Sequence, residues 1–206
     1  MKNFNKIYFF GLLLLLLAIV VYSLTSEDKT AQYIAQVEAE RTEKNRFFRA
    51  SAESPIENKQ LFRRLNYYPP NPEFRVKARL EMIEDTLGFA VNMTDGKKET
   101  YLRIAKALFS LQKQEYSVLL IKPLQKNEAI LHLLFTDKTT GDSTYGGGRY
   151  VDVPFKKGQK EVFLDFNLAY NPFCAYNPNY SCPLPPKENK LPIAITAGEV
   201  NYEHAD

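Results

Sequence analysis

The 206 residues carry 27 Lys and Arg against 24 Asp and Glu, a formal charge of +3, and 45% of them are apolar, including 14 Phe and 13 Tyr. This supplies a core for one domain of ordinary size and excludes disorder over the whole length. Lys2 and Lys6 account for two of the three net charges, so the rest of the chain lacks the one-sided basic excess of a nucleic-acid binder, and no nucleic-acid partner is expected.

The two lysines precede an uncharged, mostly apolar run from Ile7 to Leu24. As a helix this run spans about 27 Å, close to the ~30 Å hydrocarbon core of a bilayer. Its six consecutive leucines leave no polar face. Lysines before it and Glu27–Asp28 after it predict an N-terminus in the cytoplasm and everything from Ser26 onward outside. Residues 1–26 therefore read as a signal anchor or a signal peptide. The run is long for a cleaved signal, and Val21-Tyr22-Ser23 is a weak cleavage site. The expected location is the cell envelope, membrane-anchored with the domain outside, or secreted or periplasmic if the signal is cleaved.

Residues 27–66 read as a helical linker followed by a short capped helix. The linker is mostly charged, with a broken apolar stripe of Tyr33, Ile34, Val37, Phe47 and Phe48. It predicts a solvated helix whose aromatic end docks on the domain. In "SPIENKQLFRRL", Ser54 suits the N-cap, Pro55 the first helical position and Glu57 the capping box, with Ile56, Leu61, Phe62 and Leu65 facing inward. Pro69, Pro70 and Pro72 end any helix there, which puts the main domain boundary near residue 66.

Residues 67–206 change period. Phe74, Val76, Ala78, Leu80 and Met82 alternate with Arg75, Lys77, Arg79 and Glu81, the pattern of a half-buried antiparallel strand. Further strands are predicted at 86–93, 100–109, 115–122, 128–136, 149–153, 160–165 and 191–197, separated by turn signals such as Asp95-Gly96 and Lys157-Gly158. The fold class expected is mainly β, an antiparallel sandwich or barrel preceded by the N-terminal membrane segment and one or two helices.

Both cysteines and five of the twelve prolines fall in "NPFCAYNPNYSCPLPPKEN", residues 171–189. In an exported domain a Cys174–Cys182 disulfide is the default reading, stapling a stiff loop. Zinc would need about four ligands, and only His132 and His204 are available, so no metal and no cofactor are expected. The stapled segment serves either as cover for a sheet edge or as a binding rim. The stretch "TYGGGRY" (144–150) allows close backbone approach but leads into a strand, unlike a phosphate loop.

"FTDKTTGDSTYGGGRYVDV", "LDFNLAYNPFCAYN" and "SCPLPPKENKLPIAITAGE" resemble the domain-of-unknown-function family 1684, found largely in bacteria. The resemblance covers most of residues 30–202. Its elements match Thr144 to Tyr150, Asp165 to Pro172, Cys174 with Cys182, and Cys182 to Asn189, without departures. It implies a bacterial envelope protein and supplies no reaction.

The functional expectation is a module binding a small molecule or glycan. The alternatives are a carboxylate-dependent hydrolase or a structural, assembly component of the envelope. The expected pocket lies between the glycine segment and the stapled loop. Arg149 offers a planar donor for a carboxylate, and Tyr145, Tyr170 and Tyr176 supply aromatic faces. Asp165, Asn167, Asn171, Glu188 and Asn189 complete the polar set. The competing structural reading pairs Arg149 internally with Asp165 or Glu188.

Overall fold

A computed structural model describes residues 2–124 and 129–203, and within the N-terminal helix the side chains of residues 9–18 and 28–50. Among the described residues the elements are one long helix, α1 (Lys2–Ala50), seven strands, and four single-turn 3-10 segments. The strands are β1 (Arg75–Met82), β2 (Phe89–Asn92), β3 (Lys98–Leu111), β4 (Gln114–Pro123), β5 (Ile130–Phe135), β6 (Arg149–Pro154) and β7 (Glu161–Asp165).

All seven strands belong to one antiparallel sheet in the order β6-β5-β4-β3-β1-β7, with β2 beside β3. The fourteen residues of β3 serve two partners along one edge, β2 through Lys98–Tyr101 and β1 through Ala105–Phe109. A register shift between Arg103 and Ala105 bends it there. The sheet curls until its end strands β6 and β7 touch, without a ladder between them among the described residues. The result is a nearly closed barrel.

One core fills the barrel. Val76, Ala78 and Leu80 of β1 meet Phe109, Leu120, Leu133, Phe135, Val151, Val153, Leu164 and Phe166. The alternation of β1 holds from Phe74 to Leu80, and Met82 emerges 54% exposed. The outer face of the sheet is also covered. Leu119 and Ile121 of β4, Leu134 of β5 and Tyr150 of β6 form a second cluster with Val91 and Tyr101.

That cover is the proline-dense segment. Tyr150 donates its hydroxyl to Pro183 O. The Leu184 N–H bonds Asn92 O at 2.7 Å, and the Thr94 N–H bonds Cys182 O at 2.9 Å. Asn189 is fully buried: its Nδ2 donates to Leu119 O (2.9 Å) and Leu134 O (2.8 Å), and its Oδ1 accepts from the Leu119 N–H (2.6 Å). A single side chain thus satisfies backbone groups of two strands that the segment would otherwise leave without partners.

Four sequence expectations change. Residues 51–65 form turns rather than a capped helix. Ser54 does accept the Ile56 N–H, but its hydroxyl donates to Phe48 O at the end of α1, so it caps the long helix instead. Ile56, Phe62 and Leu65 are buried with Phe48 and Tyr176, while Leu61 is 47% exposed. Residues 191–197 form no strand, because the carbonyls of Ile195 and Ala197 point at Arg149 rather than at a neighbouring strand. The linker is not a solvated rod: Val37, Arg41 and Phe48 are buried against the barrel. Finally, Cys174 and Cys182 are free thiols lying side by side, not a disulfide.

Among the described residues no helix is long and apolar enough to cross a membrane. Much of the Ile7–Leu24 run, on which the anchor expectation rests, lies outside the described side chains.

Candidate functional site

The glycine segment is packed shut at its last glycine, Gly148. Gly148 has φ +85°, and a Cβ there would stand 2.6 Å from Phe135 O and 2.6 Å from Pro185 Cγ. Only glycine fits both the backbone angle and the contact. The next residue, Arg149, is fully buried. Its Nη1 donates to Ala197 O (2.5 Å) and Glu199 O (3.1 Å), and its Nη2 donates to Ile195 O (2.9 Å) and to Asp137 Oδ2 (3.4 Å). Burial lowers its pKa, partly offset by Asp137. Its internal partner is Asp137, not Asp165 or Glu188.

Several other expected site residues are also internal fasteners. Asn171 donates its backbone N–H to Glu199 Oε2 (2.8 Å) and its Nδ2 to Val200 O (2.8 Å). Tyr176 is buried with its hydroxyl on Glu199. Asn167 Nδ2 donates to Tyr33 Oη (2.9 Å) and Asn71 O (2.8 Å). Asp165 accepts the Tyr33 hydroxyl at 2.8 and 2.9 Å and has Arg75 at 3.7 Å. Glu188 is exposed, apart from these groups. Tyr145 is half-buried with its hydroxyl on Cys174.

The open space lies elsewhere, along α1 where the helix crosses the barrel, in one cavity against residues 43–51 and another against residues 33–40. A cavity of about 830 Å³ is lined by Lys44, Phe47 and Phe48 from α1 and by Asp152, Tyr170 and Phe173 from the barrel side. A second, of about 560 Å³, is lined by Tyr33, Arg75, Asp152, Phe163, Asp165 and Tyr170. Asp152 and Tyr170 border both. The larger has the size and aromatic lining of a small-molecule site.

Local structure explains this placement. Asp152 alternates outward between inward-facing Val151 and Val153, opposite His132 on β5. An isolated bridge between Tyr150 and Tyr170 holds Tyr170 beside β6. Asp152 Oδ1 accepts the Tyr170 hydroxyl at 2.8 Å and lies 3.0 Å from His132 Nδ1. Burial pushes the Asp152 carboxyl up, but the hydrogen bonds from His132 and Tyr170 outweigh it and leave it below the usual range. Lys44 lies 4.4 Å from the Tyr170 ring centroid, with its Nζ 2.6 Å from Glu199 Oε1. That contact gives the buried Glu199 carboxylate a cation.

The two cavities therefore offer cations (Lys44, Arg46, Arg75), carboxylates (Glu43, Asp152, Asp165) and several aromatic faces. Of the residues singled out in the sequence, the structure unites Tyr170 with Asp165 there, and places Arg149, Asn171 and Asn189 in the scaffold. Lys44 and Tyr33 went unnoticed as site residues because they lie on the helix; only the place of Tyr33 on the broken apolar stripe hinted at docking, and Lys44 falls in the charged middle of the linker. Among the described residues no group of three or more His, Cys, Asp or Glu could hold a metal.

A family model described as "Protein of unknown function (DUF1684)" matches residues 60–200. A solution NMR structure of an uncharacterized protein from Haloarcula marismortui is 38% identical, with a TM-score of 0.66, covering 84% of this chain and 96% of that one. No curated protein matches.

Proposed function

The chain belongs to the DUF1684 family, whose function is unknown, and on that premise we propose a membrane-tethered binding module that takes a small organic ligand or glycan into the cleft beside Tyr170. The observation carrying this is the cavity of about 830 Å³ bordered by Phe47, Phe48, Tyr170 and Phe173, with Glu43, Lys44, Arg46, Ser51 and Asp152 as its polar groups. Aromatic faces bury the flat apolar side of a sugar or ring, and a few charged groups orient it.

The tether rests on the length of the apolar run Ile7–Leu24 in the sequence. Phe9, Phe10 and Leu12 to Leu17 are each more than half exposed, on every side of the helix. A helix apolar all round, with no protein against it, suits a bilayer. Under the lysine rule the barrel lies outside the cytoplasm, in the cell envelope.

The hydrolase reading is weaker. A general acid needs a raised pKa, whereas Asp152, the carboxylate common to both cavities, is held low.

Binding is tested by NMR on the full-length protein in detergent, titrated with a panel of mono- and disaccharides and small aromatic acids and amines. Perturbations should gather at Phe47, Phe48, Asp152, Tyr170 and Phe173, and Tyr170→Ala should abolish them. A panel silent even at millimolar concentration, or perturbations confined to another face, would overturn the reading.

A further inference from the structure

The glycine segment and the proline-dense segment do meet, at a pair of thiols. The Cys174 N–H donates to Cys182 Sγ at 3.2 Å, and the Tyr145 hydroxyl donates to Cys174 Sγ at 3.7 Å. Tyr145 folds back over its own segment, so closely that a Cβ on Gly147 would lie 2.4 Å from the ring. Gly147 thus leaves room for the phenol to reach the sulfur. The backbone of Cys182 is fixed by its N–H on Thr94 Oγ1 (3.0 Å) and by the Thr94 N–H on its carbonyl (2.9 Å).

The two sulfurs differ in access and in proton affinity. Cys174 is partly exposed on a single-turn 3-10 segment, and Cys182 is buried. A hydrogen bond from Cys182, helped by Tyr145 and Thr94 and opposed by burial, brings the Cys174 thiol down to about 6. The same bond, with burial, pushes Cys182 up. Burial and the Cys174 contact also push the Tyr145 phenol up to about 12, so it stays a donor.

We propose that Cys174 and Cys182 form a reactive dithiol, with Cys174 the attacking thiolate, Cys182 the resolving thiol, and a low-molecular-weight disulfide as substrate. The Cys174 thiolate attacks one sulfur of the disulfide. The external S–S bond breaks, one thiolate leaves, and a mixed disulfide forms on Cys174. Cys182 then gives its proton to solvent base and attacks Cys174 Sγ, expelling the second external thiolate. Two cysteine thiols are oxidised and one external disulfide is reduced to two thiols; an external dithiol reverses the sequence. The partly exposed thiolate receives the reagent while the buried thiol waits behind it, as such exchange requires. This site is separate from the cavity beside Tyr170 and does not depend on a ligand there.

The test uses reduced full-length protein in detergent with oxidised glutathione, followed by peptide mapping. The wild type should end as an internal Cys174–Cys182 disulfide. Cys182→Ala should stop with one glutathione on Cys174, and Cys174→Ala should take up none while folded. Should either variant misfold, limited alkylation of the wild type near pH 7 decides. Cys174 should then react faster than Cys182 by on the order of tenfold or more, with a pH midpoint below that of an ordinary thiol that rises in Tyr145→Phe. Equal alkylation of the two thiols, glutathione on Cys182, or a wild type left with two free thiols would overturn the proposal.

Discussion

Arg149 and Asp137 meet at 3.4 Å with neither side chain exposed to solvent. The pair is one strut of a larger fastener, since the same guanidinium holds the carbonyls of Ile195, Ala197 and Glu199. Asp137 Oδ2 in turn accepts the Ile195 N–H at 2.6 Å. Together they bind the C-terminal segment to the barrel without a strand ladder. Removing one partner strands a buried charge, at a cost of about 3–5 kcal/mol. Arg149→Ala should lower the unfolding free energy by that amount, read as a fall in the urea midpoint, and Arg149→Lys should rescue little, since an ammonium cannot reproduce the planar fork. A midpoint unchanged in Arg149→Ala would refute the assignment.

Gly148 and Gly158 make a matched comparison. Both have strongly positive φ, +85° and +87°, but a Cβ on Gly158 meets nothing within 4 Å. Gly158→Ala should cost only the backbone preference, about 1–2 kcal/mol. Gly148→Ala adds a clash with the Phe135 carbonyl and should cost clearly more, or leave no folded protein. Equal thermal shifts for the two variants would show that the backbone at Gly148 can yield.

Asp152 gives the pH prediction. Its folded pKa lies below the ordinary carboxylate value, which is about 3.9 in an unfolded chain. Its contribution to stability is therefore fully present above that value and is lost as pH falls through the folded pKa. With the side chain 47% exposed, solvent screening keeps the effect small. Asp152→Asn should be less stable than the wild type at pH 7, and the gap in urea midpoint should close below about pH 4. A gap of the same size at both pH values would mean that the charge on Asp152 contributes nothing.

These contrasts also show which parts of the sequence were legible. β1 could be read because one of its faces is wet, so Val76, Ala78 and Leu80 alternate with charges. In β4, Val118, Leu119, Leu120 and Ile121 are all buried because the proline-dense segment covers the outer face, and the period disappears. The strand expected at 191–197 and the helix expected at 54–65 failed for one reason. Their local signals were sound, but other partners, Arg149 from 46 positions away and the end of α1 at Phe48 only six positions before Ser54, claim the groups that a strand or a helix would use. The cavity was illegible because it joins α1 to residues far along the chain: Tyr33 and Asp165, which bond each other, stand 132 positions apart.

The last prediction concerns α1 itself. The family match begins at residue 60, yet residues before it finish the domain. Tyr33 bonds Asp165, Arg41 donates to Asn167 O at 3.2 Å, and Lys44 neutralises Glu199. Phe48, 1% exposed, packs its ring 4.9 Å from that of Tyr176 and 6.0 Å from that of Phe62. Cutting at residue 60 would leave Glu199 buried without its cation and uncover Phe62, Leu65 and Tyr176. Loss of a buried Phe alone costs about 3–5 kcal/mol, a large share of the roughly 5–15 kcal/mol that holds a domain together. A chain of residues 28–206 should therefore fold with a cooperative thermal transition, while residues 60–206 should bind a hydrophobic dye and melt without cooperativity. Phe48→Ala in the longer chain should fall between the two. If residues 60–206 melt cooperatively at the same temperature as residues 28–206, then α1 is an appendage, and a cavity walled by Lys44, Phe47 and Phe48 cannot be a fixed part of the fold.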